Sequence, residues 1–392
     1  MRVNLAVIVA MFVGLPTFAQ TNWVPVISKE GGFSVEMPAT PTLKTSRTRK
    51  ENGGVTKIMQ IGCENEGGAY IVQKIEFPTA IVKGAEDQQL NAERDEFAEI
   101  WHGKVIGEKK VRANGRVGRD FTIRGKPEKD SGVLTVRIRE YLDVKAVYAV
   151  IVCSAPNREL PEDTGRFLGS LGIGETKARI AGTPEKEPDG KALEGWGLAI
   201  DVNGDCKFTP ADKTMKFEIP GTFHDLNPDT KNLNAPRVMA PVDGDFILTV
   251  KVAGEFKAGG KTTNPNPRGL PYNSAGILVW SDSDNFIRLE RAAFSRNGKI
   301  ATTVAFEERE GGYRGANHNQ NTKPGDCWLR MERRGSRING AVSFDGTTWT
   351  KLKPIDTVWP KKLKVGLLAI NTSSEPFTPS FEQFDLNVIG VK

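Results

Sequence analysis

The stretch that decides the fold of the C-terminal half is residues 276–290, with the sequence GILVWSDSDNFIRLE. Two apolar runs, at 276–280 and 286–289, flank a Ser-Asp turn. Short runs of Val, Ile, Phe and Trp bounded by turn residues are typical of neighbouring antiparallel strands. We therefore expect a β-hairpin here.

Similar short runs recur along the rest of this half, with turn residues between them at short intervals. They lie at 215–219, 246–252, 275–280, 286–290, 300–306, 328–332, 337–343, 364–370 and 381–388. No helix of useful length interrupts the pattern. So many short strands in about 200 residues indicate a two-sheet jelly-roll sandwich. We assign this domain to residues 193–392.

The N-terminal half has a different pattern, which predicts an α+β domain with an antiparallel sheet and helices over residues 20–175. Apolar residues at helical spacing predict a long helix at 87–101, and a short closing helix is expected at 161–171. Predicted strands lie at 33–38, 58–63, 70–77, 118–124, 133–142 and 146–154. The charged, Pro- and Gly-containing segment 176–192 is predicted to be a linker between the two domains. Because strands are predicted throughout both halves, we expect the whole chain to be mainly β.

The first nineteen residues have the layout of a secretory signal peptide. Arg2 precedes an apolar run at 5–15, and small residues follow at Thr17 and Ala19. Eleven apolar residues are too few for a membrane span, which needs about 20. We expect cleavage after Ala19 and an exported protein, periplasmic or extracellular, with no membrane span.

Charge and composition argue against a nucleic-acid partner. The net charge is +6 over 392 residues, and positive and negative residues are mixed along the chain, with no block of five or six residues of like charge. A nucleic-acid-binding surface needs a basic stripe with interleaved aromatic residues, and the sequence has none. The oligomeric state is left open.

The four cysteines, Cys63, Cys153, Cys206 and Cys327, are compatible with disulfide bonds in an exported protein. Two lie in each half of the chain, so the simplest pairing is Cys63–Cys153 and Cys206–Cys327. Buried free thiols are the alternative.

Several short sequence segments of the C-terminal half resemble those of a known family. They are Gly244-Asp245-Phe246, the stretch 276–290, 328–333, Phe344-Asp345-Gly346-x-x-Trp349, 365–369 and Phe381-x-x-Phe384. Together they resemble the concanavalin A-like domain family that includes the "regulation of enolase" proteins and the C-terminal sandwiches of some β-xylosidases. The resemblance implies a sandwich of a kind that binds sugars more often than it cleaves them.

The N-terminal half carries a looser resemblance. The order of Phe33-x-Val35-x-Met37-Pro38, a long helix, Gly118-Arg119-Asp120-Phe121 and Phe167-Leu168-x-Ser170 resembles the PsbP-like fold of small exported bacterial domains. Members of that fold class mostly act as accessory or interaction modules. The resemblance therefore implies no enzymatic activity.

Candidate ligand-binding residues are aromatic, charged and amide side chains near the 276–290 hairpin and its expected neighbours. Alternation puts Arg288 and Glu290 on one strand face. In the same way, alternation within 328–332 puts Trp328, Arg330 and Glu332 on one face of another strand. If both strands share a concave sheet, these groups line one groove that fits a glycan, and a polar loop at 313–321 adds amides. The candidates are Trp280, Asp282, Asn285, Arg288, Glu290, Tyr313, Asn317, His318, Trp328, Arg330 and Glu332. Cross-strand salt bridges on a solvated face, with tryptophans in the core, are the alternative.

One short motif resembles the start of a calcium-binding loop. Asp201, Asn203 and Asp205 offer oxygen ligands at alternating positions, and Asp212 occupies the twelfth position. Cys206 stands where the sixth-position glycine is expected. A turn rich in Asx side chains is the alternative, so calcium is the one cofactor that the sequence leaves open.

The sequence contains no catalytic motif. It has no Gly-x-Ser-x-Gly elbow, three histidines in all, and no Glu-x-Asp-x-x-Glu run of the laminarinase type. The leading interpretation is an exported, non-catalytic carbohydrate-binding or accessory protein. A glycoside hydrolase that uses carboxylates of the concave face, and an envelope interaction protein, are the alternatives.

Overall fold

The computed structural model describes residues 23–51, 54–113, 115–126, 132–174, 190–228, 232–266, 269–311, 313–322 and 324–389. The chain divides into two compact units, residues 1–183 and 184–392. The predicted signal peptide and most of the predicted linker at 176–192 lie outside the described residues and stay predictions. Within the described ranges, no helix is long and apolar enough to cross a membrane.

The first unit combines strands with two helices. Its elements are β1 (Val24–Ser28), β2 (Phe33–Met37), β3 (Leu43–Glu51), β4 (Gly54–Asn65), β5 (Gly68–Glu76), α1 (Glu86–Ile100), β6 (Gly103–Ala113), β7 (Arg116–Gly125), β8 (Leu134–Leu142), β9 (Ala146–Ser154), α2 (Thr164–Gly169) and β10 (Gly172–Ile173).

The core of this unit forms on both faces of a seven-stranded antiparallel sheet, ordered β3-β4-β5-β9-β8-β7-β6. Strand β9, AVYAVIVCS, is buried along its whole length, because it lies at the centre of the sheet with a layer on either side. Phe97 and Trp101 at the end of α1 pack on one face. On the other face the ring of Phe167 in α2 meets Tyr70 edge-on at 5.4 Å.

The second unit consists of strands. They are β11 (Lys191–Leu193), β12 (Gly197–Ile200), β13 (Lys207–Ala211), β14 (Thr214–Glu218), β15 (Leu226–Asn227), β16 (Asn232–Leu233), β17 (Arg237–Asp243), β18 (Asp245–Ala253), β19 (Tyr272–Asp282), β20 (Asn285–Arg296), β21 (Lys299–Glu310), β22 (Tyr313–Asn321), β23 (Cys327–Arg334), β24 (Arg337–Ser343), β25 (Thr350–Lys351), β26 (Ile355–Asp356), β27 (Lys362–Asn371) and β28 (Ser380–Ile389).

Two antiparallel sheets form a sandwich in this unit. The front sheet has the order β11-β12-β17-β27-β19-β20-β21-β22. The back sheet has the order β13-β14-β28-β18-β23-β24-β25, and β26 pairs with β24. Each sheet turns alternate apolar side chains toward the other, which buries them between the sheets. The predicted fold class, a mainly β chain with an α+β part followed by a two-sheet sandwich, is confirmed.

The polar segment 313–321 is a strand and not the loop that the sequence predicted. It forms β22, the edge strand of the front sheet, and pairs with β21. An edge strand exposes one side to solvent, so its side chains carry little of the apolar alternation that identifies central strands. The amide-rich sequence of β22 is therefore compatible with pairing on one side alone.

All four cysteines are free thiols, so the predicted disulfide pairing is wrong. Strand β5 lies between Cys63 on β4 and Cys153 on β9. Two strand spacings are about 9.6 Å, beyond the roughly 7 Å reach of a disulfide between Cα atoms. The register places Cys63 level with Tyr70 and Val152, so Cys153 points to the opposite face.

The second predicted pair, Cys206 and Cys327, is not bonded because the two cysteines lie in different parts of the sandwich. The Cys206 Sγ is 3.4 Å from His224 Nε2 near the start of β13. Cys327 is fully buried at the start of β23, close to Arg291 of the front sheet. Burial raises the pKa of the Cys327 thiol to about 12, which keeps it protonated and unreactive at neutral pH.

Alkylation of the unfolded chain without a reductant tests this arrangement. We expect iodoacetamide in denaturant to modify all four cysteines, since none of them is bonded to another. Mass spectrometry of the intact protein and of its peptides measures the number of added groups. A cross-linked peptide joining Cys63 to Cys153, or Cys206 to Cys327, would contradict the structure.

Candidate functional site

A tight turn at Asn297 and Gly298 sets the geometry of the front sheet. Both residues have positive φ, at 52° and 73°, as a two-residue hairpin turn between β20 and β21 requires. The turn fixes the pairing of the two strands along their whole length. Arg288 consequently lies opposite Glu307, and Glu290 lies opposite Ala305.

These charged residues face away from the back sheet. A Cβ added to Gly340 of the back sheet would lie 3.1 Å from the Phe306 ring, so Phe306 points between the sheets. Successive side chains of a strand point to opposite faces, which places Glu307 on the other side. We call this side the outer face of the front sheet.

Glu307 is the centre of an ion-pair cluster on the outer face. Its Oε1 accepts hydrogen bonds from Arg288 Nη2 and Arg309 Nε, both at 2.9 Å, and its Oε2 lies 3.0 Å from Arg314 Nε. Burial pushes the pKa of this carboxyl upward, but the attraction of the three guanidinium groups is larger. The net effect lowers the pKa, so Glu307 is a carboxylate at neutral pH.

Glu290, two residues along from Arg288 on the same face, has the opposite character. Tyr272 Oη and Ser274 Oγ donate hydrogen bonds to its carboxyl, at 2.7 and 2.9 Å. Its Oε1 lies 3.7 Å from Arg288 Nε. The side chain is almost fully buried, and burial raises its pKa although Arg288 and the hydrogen bonds oppose this.

Arg288 has hydrogen-bonding capacity that the protein does not use. The residue is 7% exposed, and its buried Nη1 has no hydrogen-bond partner among the residues that the structure describes. Asp225 lies near it, and burial raises the pKa of that carboxyl against the attraction of Arg288 and Arg309. A buried guanidinium donor without a partner is costly unless a ligand or water satisfies it.

Trp280 lies on the outer face but is too buried to contact a ligand there, contrary to its prediction as a ligand-binding residue. It is 5% exposed and its ring stacks on Phe286 at 5.3 Å. Leu226 of β15 packs in the same apolar cluster, and the Arg237 guanidinium lies 5.1 Å from the ring centre. This tryptophan therefore belongs to the core between the sheet and the segment that carries β15 and β16.

Three exposed amides continue the outer face onto the edge strand. Asn317 lies opposite Glu307, Asn319 opposite Ala305 and Asn321 opposite Thr303, so all three share the face of Arg288. All three are exposed. We call Asn317, Asn319 and Asn321 the amide row. It places donors and acceptors in solvent beside the buried ion pairs.

The other candidates near this hairpin do not join the outer face. His318 pairs with Phe306 and its ring lies 6.4 Å from that ring, so it points to the opposite side, as does Tyr313 opposite Glu310. Asp282 and Asn285 bond to each other across the β19–β20 turn, where the Asn285 amide donates to Asp282 Oδ1 at 2.7 Å. These two residues stabilise the turn.

The predicted single groove is wrong, because its second half belongs to the other sheet. Trp328, Arg330 and Glu332 lie on β23 of the back sheet, on the face that points away from the front sheet. There the Arg330 guanidinium lies 4.0 Å from the centre of the Trp349 ring, and Trp328 Nε1 donates to Gln383 Oε1 at 2.9 Å. The ligand-binding candidates are thus divided between two opposite surfaces.

The residues of the predicted calcium loop lie in a different kind of cluster. The structure brings Asp201 and Asp205 together with two residues that the calcium pattern does not include. We call the four residues the donor cluster: Asp201, Asp205, Cys206 and His224. Their ligand atoms all lie within 4.8 Å of one another. Asp212, the expected twelfth-position ligand, lies beyond the far end of β13.

Sequence reasoning missed both the partners of Arg288 and the donor cluster. The Asn-Gly turn at 297–298 carried the signal for Glu307, because counting back from it gives the register. No local signal joins Cys206 to His224, since eighteen residues separate them and folding alone brings them together.

Comparison with known proteins gives a family match for most of the sandwich. Residues 219–389 match a family model described as "Protein of unknown function (DUF1349)". No curated protein matches the chain. The concanavalin A-like and PsbP-like resemblances stay predictions at the level of named families.

Solved structures that resemble the chain share little sequence with it. A functionally unknown protein from Saccharomyces cerevisiae is 14% identical, with a TM-score of 0.40, over 49% of this chain and 96% of its own. The GH43 protein BlXynB from Bacillus licheniformis is 12% identical, with a TM-score of 0.35, over 93% and 74%. The carbohydrate-binding module CBM66 from Bacillus subtilis is 14% identical, with a TM-score of 0.29, over 49% and 97%. At these values the likenesses carry no conclusion about a ligand.

Replacing Arg288 tests the electrostatics of the outer face. Arg288→Met leaves Glu290 and Glu307 buried with fewer cationic partners, so we expect the free energy of unfolding of the second unit to fall by about 3 kcal/mol at pH 7. A buried carboxyl with a raised pKa costs stability as pH rises above its unfolded value of about 4.3. The loss should therefore be smaller at pH 5 than at pH 7.

Arg330→Met on the back sheet is the matched control. Arg330 is half-buried on a solvated face, so we expect a loss of about 1 kcal/mol or less that does not vary between the two pH values. Calorimetry of the full chain at both pH values measures the two variants. Equal losses in both, or a larger loss at pH 5, would contradict the assigned role of Arg288.

Proposed function

We propose that the chain is an exported, non-catalytic protein whose C-terminal sandwich binds a hydroxyl-rich glycan on the outer face of the front sheet. The observation that supports it is the continuity between the amide row and the buried ion pairs. Asn317 continues the cross-strand row of Arg288 and Glu307 onto the exposed edge strand. Export rests on the sequence of residues 1–19.

The chemistry of the amide row suits sugar hydroxyls. Each asparagine amide offers two donors and an acceptor oxygen, and a hydroxyl can both donate and accept. Arg314 stands beside the row, with a side chain that is 53% exposed and anchored through Nε to Glu307 at 3.0 Å. A flexible charged side chain held by a buried carboxylate loses less entropy on binding a ligand.

The buried part of the face supplies rigidity. Glu307 is held by three arginines and Glu290 by Tyr272 and Ser274, so neither carboxylate is free to rotate. Side chains fixed by such bonds give a precise frame for ligand groups. The proposal therefore replaces the groove lined by Trp280 and Trp328 that the sequence predicted with polar recognition along an edge strand.

Removal of two amides of the row tests the binding proposal. Screening the full chain on plant, algal and bacterial glycans identifies a binder, and titration calorimetry measures its affinity. Two lost hydrogen bonds are worth about 1–3 kcal/mol in total, so we expect the Asn317→Ala/Asn319→Ala double variant to bind roughly 5- to 150-fold more weakly.

Asn387→Ala provides the matched control, because Asn387 is an exposed asparagine on β28 of the back sheet. It should bind like the wild type. Both sets of substitutions are at exposed positions, and near-ultraviolet circular dichroism confirms that the variants fold. Absence of binding to every glycan, or unchanged affinity of the double variant, would refute the proposal.

Glycoside hydrolysis is the second candidate, and one observation favours it. Burial raises the pKa of Glu290, whereas three arginines lower the pKa of Glu307, and glycosidases pair a protonated acid with an ionised carboxylate. Both carboxyls are nevertheless buried and hydrogen-bonded to other side chains of the protein. Neither is exposed to contact the scissile bond of a glycan.

Reducing-sugar release from the same polysaccharides distinguishes the two functions. The binding proposal predicts no release by the wild type during long incubation. Release that disappears in Glu290→Gln and persists in Glu332→Gln, a carboxyl of the back sheet, would replace binding with catalysis.

A further inference from the structure

The donor cluster near the start of β13 contains a combination of side chains that the proposed glycan site does not use. Two carboxylates, a thiol and an imidazole converge from two segments of the chain, 201–206 and 222–224. His224 is fully buried, and the backbone of His224 pairs with Asn371 of β27, which fixes its position. The imidazole is therefore held by the fold rather than by the loop it contacts.

Both ring nitrogens of His224 face acceptors. Nδ1 lies 3.3 Å from the Thr222 carbonyl oxygen, and Nε2 lies 2.8 Å from Asp205 Oδ1. The Thr222 hydroxyl donates to Asp205 Oδ2 at 3.1 Å, so Nδ1 faces two oxygen atoms of Thr222, the hydroxyl and the carbonyl, that can each accept a proton from it. A proton or a cation must then lie between Nε2 and the carboxylate, since two lone pairs would repel at 2.8 Å.

The other two side chains of the donor cluster, Cys206 and Asp201, favour a cation over a proton at this position. Cys206 Sγ lies 3.4 Å from the same Nε2, so thiol, carboxylate and imidazole all converge on one point. Asp201 Oδ2 accepts the backbone N–H of Cys206 at 2.7 Å, while its buried Oδ1 has no hydrogen-bond partner within the described part of the chain. Neither Asp201 nor Asp205 pairs with a lysine or arginine among the described residues.

A Cys-His-Asp catalytic arrangement fits this geometry less well. In a catalytic triad the nucleophile and the orienting carboxylate bind opposite nitrogens of the histidine. Here Cys206 and Asp205 approach the same nitrogen.

We propose that the donor cluster binds one divalent transition-metal cation of the zinc class. Imidazole nitrogen, thiolate sulfur and carboxylate oxygen together are the ligand types that zinc prefers, and calcium takes oxygen ligands alone. A tetrahedral zinc site separates its donor atoms by about 3.2–3.8 Å, so the cluster needs only small adjustments. Binding displaces the thiol proton of Cys206 to solvent, and Nε2 of a neutral His224 supplies its lone pair.

Such a cation would join two segments that the backbone does not otherwise connect at this point. The 201–206 loop would be fixed to the segment at 222–225, whose last residue, Asp225, lies near Arg288 and Arg309 on the outer face. The metal is therefore assigned a structural role next to the glycan site, independent of whether that site binds sugar. The Thr222 carbonyl holds the second nitrogen of His224, as outer partners of metal-bound histidines commonly do.

Cobalt(II) titration of the metal-free full chain tests the site, because cobalt replaces zinc and reports thiolate ligation by near-ultraviolet charge-transfer absorption. We expect one equivalent to produce this band and zinc to abolish it. Cys206→Ser should lose the band and bind cobalt at least about 10-fold more weakly. Asp212→Asn, at the turn that follows β13, should behave like the wild type.

Folding of Cys206→Ser is verified by near-ultraviolet circular dichroism, and Cys206 is only partly buried, so the substitution leaves the core intact. Glycan affinity measured on the same samples separates failure of this site from failure of the glycan proposal. No band in the wild type, an unchanged band in Cys206→Ser, or displacement of cobalt by calcium at equal concentration would overturn the assignment.

Discussion

The two-residue turn at Asn297 and Gly298 is the constraint on which the front sheet depends. It joins two strands of twelve residues each and leaves no freedom in their pairing. A slip of one residue would turn Arg288 and Glu307 toward the back sheet, where unpaired charges would be buried among apolar side chains. The turn and the burial of charge therefore specify the same register.

Charge burial on the outer face gives this sandwich an unusual surface. Apolar side chains fill the space between the sheets, and on the far side of the front sheet Trp280 and Phe286 extend a second apolar cluster under β15 and β16. The ion pairs of Glu307 lie beside that cluster and end at the amide row. Rigid charged groups and exposed amides thus meet along one edge strand, where a polymer could approach from solvent.

Sequence patterns predicted most of the central strands and missed several edge strands, although β17, which lies between β12 and β27, was missed as well. The runs that became β9 and β19 are mostly apolar because both faces of these central strands are buried. Strands β3, β6 and β22 lie at the ends of their sheets and have polar sequences, so alternation did not reveal them. Because the amide row lies on β22, missing this strand also hid the alignment of the three asparagines with Glu307.

The parts of the candidate site that depend on alternation within one strand could be predicted from the sequence, and the parts that depend on contacts distant in sequence could not. Arg288 and Glu290 were identified together because alternation within one strand is local information. Trp328 was wrongly added to them, since the assignment of a strand to one sheet or the other depends on contacts distant in sequence. The pairing of Cys206 with His224 is non-local in the same sense and needed the folded structure.

Hydrogen–deuterium exchange of the full chain, with and without a bound glycan, tests the central claim most directly. The amide hydrogens of β21 and β22 should become protected when the glycan binds, because the outer face of the front sheet is the contact surface. Protection confined to β23 and the region of Trp349, on the outer side of the back sheet, would contradict the account.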